Sequence, residues 1–150
     1  MLVLKFKTYG KIKQFKAIDE AIRICQFIRN KLIRLWMDGE AKSWFDLNKH
    51  CAVLSKEFDF ANKLNSMARQ SASERAWSAI SQFYDNVKSG VKGKKVGFPQ
   101  FQKDHRSVEY KTTGWKFSED RKSITFTDKC SIGRLKLKGT RDLGCHRRNH

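Results

Sequence analysis

The period of the apolar residues constrains the fold of this chain most, and it changes twice along the sequence. Leu2, Leu4 and Phe6 alternate with other residues, a pattern typical of a β-strand. Over residues 17–90 the apolar residues recur at steps of three and four, which indicates helices. Over residues 91–138 the alternation returns. Because strands flank a helical block, the sequence predicts an α+β fold.

The first predicted helix carries one apolar stripe, formed by Ile18, Ile22, Cys25, Ile28, Leu32 and Leu35. Asp19 and Glu20 are expected in its first turn, where acidic side chains complement the positive end of the helix dipole. Gly39 is expected to end this helix. A shorter helix is predicted around Asp46–Lys56.

A third helix is predicted from Ser66 to Lys88, with Ser66 as its N-cap and Gly90 after its end. It is built on small residues, namely Ala68, Ala72, Ala76 and Ala79. Such a slender helix suits close packing against a neighbouring helix or entry into a nucleic-acid groove. Its first half offers polar side chains for either purpose: Arg69, Gln70, Ser73 and Arg75.

Short strands are predicted after residue 100, at Val108–Thr112, Ile124–Thr127 and Ile132–Leu137, with a turn at Glu119-Asp120-Arg121. With the first strand they predict a small antiparallel β-barrel or sheet split by an inserted helical lobe.

The predicted boundaries divide the chain into four parts. They are the first barrel strand and turn (1–16), the helical lobe (17–90), the remaining barrel strands (91–138) and a tail without apolar alternation (139–150).

The charge of the chain predicts a polyanionic partner. Lys and Arg number 32 against 15 Asp and Glu, a net charge of +17 on 150 residues. No apolar run approaches the roughly 18 residues that span a bilayer, so nucleic acid is favoured over a membrane. The first residues also lack the apolar block of a signal peptide. We therefore expect a cytoplasmic protein without a membrane partner.

No recognisable set of catalytic residues is present. The sequence has no nucleophile elbow, P-loop, zinc-protease motif or dinucleotide-binding loop, and no pair of carboxylates stands out for metal-ion catalysis. The four cysteines form no CxxC pair and are predicted to be reduced and mostly buried. Cys145, His146 and His150 lack a fourth partner for a metal ion. We expect no enzymatic activity, no cofactor and no metal ion.

Basic and aromatic residues alternate between Lys94 and Phe117. The set comprises Lys94, Lys95, Phe98, Phe101, Lys103, His105, Arg106, Tyr110, Lys111, Trp115, Lys116 and Phe117. Phosphate contacts from cations and base stacking on aromatic rings are the two components of nucleic-acid binding. About half of the rings are expected to face the core instead.

Four segments resemble the N-terminal half of TnpB (OrfB) proteins, which are transposon-encoded RNA-guided nucleases. Gly97-Phe98-Pro99-Gln100-Phe101, followed by Lys103 and Arg106, resembles their Gly-x-Pro-x-Phe-Lys segment. The opening residues 4–9, the helix segment 25–30 and the helix 66–83 ahead of Gly90 follow in the same order and spacing. The resemblance covers about residues 1–138.

The resemblance implies a wedge-type barrel, guide-type RNA and double-stranded DNA as partners, and a RuvC-like nuclease half with a zinc element that is missing here. It places Lys5, Lys7, Lys103 and Arg106 on a nucleic-acid backbone. It places Ser66, Arg69 and Gln70 at the target-adjacent duplex, where a Gln amide can pair with an adenine edge. We expect a truncated or frameshifted copy that binds but does not cut, with residues 139–150 as the scar.

Three positions depart from the family pattern. Gln100 and Gln102 stand where the family usually has basic residues, and Gly10 stands where proline is frequent. Two other hypotheses stay open: a stand-alone DNA-binding regulator and a small structural RNA-binding protein. A regulator is expected to dimerise on spaced half-sites, but the sequence has no heptad pattern.

Overall fold

Three α-helices and a four-stranded antiparallel sheet make up the computed structural model, which describes residues 3–138. The helices are α1 (Ile12–Met37), α2 (Trp44–Glu57) and α3 (Ser66–Lys88), and short 3₁₀-helices cover Asp59–Lys63 and Gly93–Val96. The strands are β1 (Thr8–Tyr9), β2 (Trp115–Phe117), β3 (Ser123–Phe126) and β4 (Gly133–Leu137). The α+β prediction is confirmed.

The helices form the main core because their apolar faces meet. On α1, Ile24, Ile28 and Leu32 are buried at steps of four, as the predicted stripe requires. The small residues Ala68, Ala72 and Ala76 of α3 are fully buried, so the α3 backbone approaches its neighbours closely. Burial of each large aliphatic side chain contributes about 1.5–3 kcal/mol. Ala68, Ala72 and Ala76 therefore serve close helix packing.

Two helix starts differ from the predicted ones. α1 begins at Ile12, five residues before the predicted boundary, so Asp19 and Glu20 do not lie in its first turn. Polar residues at the start of α1 hid its helical period. The N-cap of α3 is Asn65 rather than Ser66, since Asn65 Oδ1 accepts hydrogen bonds from the amides of Met67 and Ala68.

The sheet has the strand order β1-β4-β3-β2 and is open within residues 3–138, because β1 and β2 lie at opposite edges and do not pair. The predicted closed barrel is therefore not formed by this part of the chain. In the centre of the sheet, Ile124 lies opposite Leu135. The predicted turn at Glu119-Asp120 joins β2 to β3.

Two predicted strands are not formed in full. Residues 108–112 have no strand partner, and in the N-terminal segment pairing is limited to Thr8–Tyr9. Leu2 lies outside the described residues. In residues 108–112 the apolar alternation reflects Val108 and Tyr110, which pack against the core without a neighbouring strand to donate hydrogen bonds.

Side-chain hydrogen bonds join the sheet to the helices. Gln14 of α1 donates from Nε2 to the carbonyl groups of Ile132 (2.9 Å) and Arg134 (2.7 Å) at β4. Asp128 accepts from the Asn65 amide at 2.9 Å and from the Tyr110 hydroxyl at 2.5 Å. These contacts fix the sheet and its β3–β4 connection against the N-termini of α1 and α3.

Cys25, Cys51 and Cys130 are free and buried, as predicted. Burial raises the pKa of Cys51 to about 11 and that of Cys130 to about 12, so both thiols stay protonated near neutral pH. Cys145, His146 and His150, with the whole predicted tail 139–150, lie outside the described residues. None of the helices within residues 3–138 is both long and apolar enough to cross a membrane.

Candidate nucleic-acid interface

Residues 97–112, which we call the crossing segment, run without regular secondary structure from the end of α3 to the sheet. Two amide side chains of α1 bind the backbone of this segment. Asn30 donates to the Gln102 carbonyl at 2.9 Å and accepts from the Gln102 amide at 2.8 Å. Gln26 Oε1 accepts from the His105 amide at 3.0 Å. The crossing segment is thus held along α1 by a series of specific hydrogen bonds.

Two arginines, the buried Arg29 and the half-buried Arg75, hold the same segment. Arg29, only 5% exposed, donates to the Gln100 carbonyl at 2.9 Å. Arg75 of α3 donates to the Ser107 carbonyl at 2.9 Å and to the Ser107 hydroxyl at 3.1 Å. Burial, and then the nearby Arg75 charge, lowers the pKa of Arg29. Guanidinium groups suit this task because their several N–H donors have fixed directions.

The Gly-x-Pro-x-Phe motif is the entry to the crossing segment. Gly97 has φ +70°, a left-handed conformation that glycine adopts without strain. Asn86 of α3 donates to the Val96 carbonyl at 3.1 Å just before it. Pro99 is buried. The motif therefore sets the direction in which the chain leaves α3, and it presents Phe101 beside α1.

Two merging clefts form between α1 and residues 101–106, and we call them together the α1 groove. Their volumes are about 580 and 450 Å³, and they share Arg23, Gln26 and Lys103. The lining on α1 runs from Asp19 to Arg34, which corresponds to about 22 Å along a helix. The remaining lining residues are Ile22, Phe27, Asn30, Lys31, Phe101, Gln102, Asp104, His105 and Arg106.

The α1 groove is basic. Five basic side chains and two carboxylates line it; the basic ones are Arg23, Lys31, Arg34, Lys103 and Arg106. Of the three ion pairs within residues 3–138, one involves a groove cation, the pair between Arg34 and Asp38 at 3.2 Å. The other four cations carry no ion pair within the described part of the chain, so the groove attracts anions.

His105 lies at the bottom of the basic groove. Its Nδ1 is buried without a hydrogen-bond partner among residues 3–138. Burial lowers its pKa, and the charges of Arg75 and Arg29 lower it further. The neutral imidazole is therefore favoured in the folded chain.

The predicted backbone-binding residues divide into two places. Lys103 and Arg106 are exposed and line the α1 groove. Lys5 and Lys7 are exposed on the segment that leads into β1, where the Lys7 carbonyl accepts from the Lys138 amide at 2.7 Å. The structure thus brings Lys103 and Arg106 to one site, and it places Lys5 and Lys7 at the edge of the sheet.

The predicted duplex-reading residues lie in the first turn of α3. Ser66 is exposed, whereas Arg69 and Gln70 are half-buried. The Arg69 guanidinium donates to the carbonyls of Ala61 (3.3 Å) and Leu64 (3.0 Å). Arg69 therefore fastens the preceding 3₁₀-helix to α3, and burial lowers its pKa.

The sequence analysis did not identify the α1 side of the groove. Arg23, Gln26, Asn30 and Arg34 are spaced by three, four and four residues, which places them on one helix face. A search for a polar stripe beside the apolar one would have found this face. No local sequence pattern predicts that this stripe lies beside residues 101–106.

Exposed rings accompany the basic side chains. Phe101 lines the groove and is 47% exposed, while Phe98 packs against Trp36 and Phe83 with centroid distances of 5.4 and 5.2 Å.

Among the described residues no group of three or more His, Cys, Asp or Glu is placed to hold a metal ion. No protein-family model matches this chain, and neither does any curated protein.

Proposed function

We propose that this chain binds nucleic acid through the α1 groove, with Arg23, Lys31, Lys103 and Arg106 on backbone phosphates. The observation that carries the proposal is the lining of the groove, where cations without acidic partners stand beside an exposed aromatic ring. Phosphate contacts release condensed counterions and supply most of the affinity in such complexes. The net charge of +17 supports the same class of partner.

The resemblance to TnpB proteins makes this proposal more specific. Two of the four resembling segments, residues 25–30 and 97–101, contact each other through the hydrogen bond from Arg29 to Gln100. This contact supports a shared arrangement, because both segments would be needed to form one groove. We propose that the chain is the N-terminal, non-catalytic part of a TnpB-like RNA-guided nuclease or transposase, with guide-type RNA in the groove.

In this proposal the exposed Ser66 and the first turn of α3 lie near target-adjacent duplex DNA, and the chain binds without cleaving. The proposed location is the cytoplasm. The open sheet would belong to a wedge-type barrel, which needs further strands at the edges of β1 and β2. Lys5 and Lys7 on the edge segment would then contribute a second set of phosphate contacts.

Equilibrium binding over a salt series tests the groove. Fluorescence anisotropy would follow a labelled RNA hairpin with a single-stranded tail, and a duplex DNA, between about 50 and 200 mM KCl. The double variant Lys103→Ala/Arg106→Ala is compared with Lys49→Ala/Lys56→Ala, which removes two exposed lysines from α2. Loss of two phosphate contacts should reduce the slope of log K against log salt by about 1.5 in the groove variant alone.

Equal slopes for the two double variants would show that the charges act only collectively, as in any polycation, and would overturn the groove assignment. Absence of saturable binding to both probes would overturn nucleic-acid binding itself. Stronger binding to the hairpin RNA than to the duplex is expected if guide-type RNA is the partner.

A further inference from the structure

Phe101 is presented to solvent by a rigid backbone. Its ring is 47% exposed although burial of an aromatic side chain is favourable. The residues on both sides of it are fixed, since the Gln100 carbonyl accepts from Arg29 and the Gln102 amide and carbonyl bind Asn30. Folding therefore holds this ring in the α1 groove instead of covering it. Because the ring is already positioned, binding a partner to it costs little ordering entropy.

The cleft around Phe101 combines an apolar floor with a cationic rim. Phe27 lines it beside Phe101, and packing with Phe58 and Phe60, at centroid distances of 4.9 and 4.8 Å, holds the Phe27 ring. Four cations surround the two rings, namely Arg23, Lys31, Arg34 and Lys103. An anion with a flat aromatic part complements such a site in both charge and shape.

One polar group in the cleft has a defined hydrogen-bonding role. Gln26 Oε1 accepts from the His105 amide, which fixes the orientation of the side-chain amide. Gln26 lines both clefts of the groove, and its Nε2 group donates no hydrogen bond within residues 3–138. A donor in this position suits a carbonyl oxygen or an acceptor nitrogen on the edge of a nucleobase.

We infer that the α1 groove binds single-stranded nucleic acid, with one unpaired base stacked on Phe101 and flanking phosphates on Arg23 and Lys103. This inference rests on the proposed function and specifies its ligand. The cleft around Phe101 has a volume of about 450 Å³, which lies in the range of pockets that bind small molecules. In a duplex the bases are paired and stacked, so a duplex would contact the cations at the rim but not the ring.

Three variants test the stacking contact. Phe101→Ala removes the ring, Phe101→Tyr keeps a stacking surface, and Phe45→Ala is the control, because Phe45 is 65% exposed on α2 and does not line the groove. Thermal unfolding of each variant checks that the fold is retained. Dissociation constants are measured for oligo(U), oligo(dT) and a duplex, each of about 12 nucleotides or base pairs.

Phe101→Ala is expected to weaken binding of both single strands by about 5- to 100-fold, the range measured for loss of one stacking ring. Phe101→Tyr and Phe45→Ala should stay within about twofold of the unsubstituted chain, and duplex affinity should not change. Oligo(dU) is measured as well, because it differs from oligo(U) only in the 2′-hydroxyl. Tighter binding of oligo(U) than of oligo(dU) assigns RNA as the natural ligand, and the opposite order assigns DNA.

Equal effects of Phe101→Ala and Phe45→Ala on the single strands would overturn the stacking site while leaving salt-dependent phosphate binding in place. That outcome is also expected if the apolar floor receives a protein segment. Failure of the proposed function gives a different result, since then no probe binds saturably. Photocrosslinking of 4-thiouridine-containing oligo(U), read by mass spectrometry, should label residues 101–103; labelling confined to α2 would contradict the site.

Discussion

The α1 groove and the first turn of α3 both carry cations that the sequence assigns to nucleic-acid contacts, but the structure uses these cations differently. Lys103 and Arg106 are exposed in the groove and carry no ion pair within residues 3–138. Arg69, in α3, donates to two backbone carbonyls and to Asn62 Oδ1 at 3.2 Å. One region offers charge to a partner, whereas the other uses charge to hold the chain together.

An arginine in a basic sequence therefore cannot be assigned to a partner before its hydrogen bonds are known. Arg29, Arg69 and Arg75 all donate to backbone carbonyls of non-helical segments. Burial lowers the pKa of Arg29 and of Arg69. These three residues stabilise the framework around the groove, so their loss is expected to change folding before it changes phosphate contacts.

The largest expected effect separates the two roles directly. Arg69→Ala should lower the free energy of unfolding by about 1–3 kcal/mol, since it leaves half-buried carbonyl groups without their charged donor. Lys103→Ala should change the free energy of unfolding by less than about 0.5 kcal/mol. Urea denaturation measures both. A stable Arg69→Ala variant with weakened duplex DNA binding would instead favour the duplex-reading role predicted for Arg69.

A smaller effect is expected at the start of α3, where the sequence and the structure name different N-caps. Asn65→Ala should cost about 1 kcal/mol of stability, because the amides of Met67 and Ala68 lose their acceptor. Ser66→Ala should be nearly neutral for folding. Urea denaturation of the two variants distinguishes the caps, and a larger loss in Ser66→Ala would restore the sequence-based prediction. Ser66→Ala also tests duplex contact without disturbing the helix.

The smallest expected effect is a pH dependence from His105 at the bottom of the groove. Its folded-state pKa lies below the ordinary value of about 6.5, so the unfolded chain takes up this proton first as the pH falls. Stability contributed by the neutral imidazole is thus present above about pH 6.5 and decreases as the pH falls towards the lowered folded-state pKa.

His105→Asn should make this part of the pH dependence shallower. Urea denaturation of both chains at several pH values between about 5 and 7.5 measures the difference. Parallel curves for the two chains would show that His105 exchanges protons equally in the folded and unfolded states. The carboxylate groups contribute equally to the pH dependence of both chains, so their contribution cancels in the comparison.

The helices were largely predictable because helical amphipathicity is a local property. The steps between Ile24, Ile28 and Leu32 define a buried stripe whatever the stripe packs against. The bounds of α3, Ser66–Lys88, match the predicted bounds. The start of α1 was predicted too late, since Lys11, Lys13 and Lys16 interrupt the apolar pattern in its first turns.

The strands were predicted less well, because pairing joins residues far apart in the sequence. Residues 108–112 alternate as a strand does, but Val108 and Tyr110 pack on the core without a paired neighbour. The same limit applies to the interface. Lys103 and Arg106 were identified from their place in a basic, aromatic segment, whereas Arg23 and Gln26 entered the site only through folding.

Periodicity and composition are short-range properties of the chain, and they were enough to predict the helical framework, the α+β class and the strong positive charge. Only the folded chain shows which cations are available to a partner and that Phe101 stands beside α1. A guanidinium or ammonium group is available only where it makes no hydrogen bond or ion pair with a carbonyl or carboxylate of a distant residue. Packing sets these contacts, as the hydrogen bonds of Arg29 to Gln100 and of Arg69 to Leu64 illustrate.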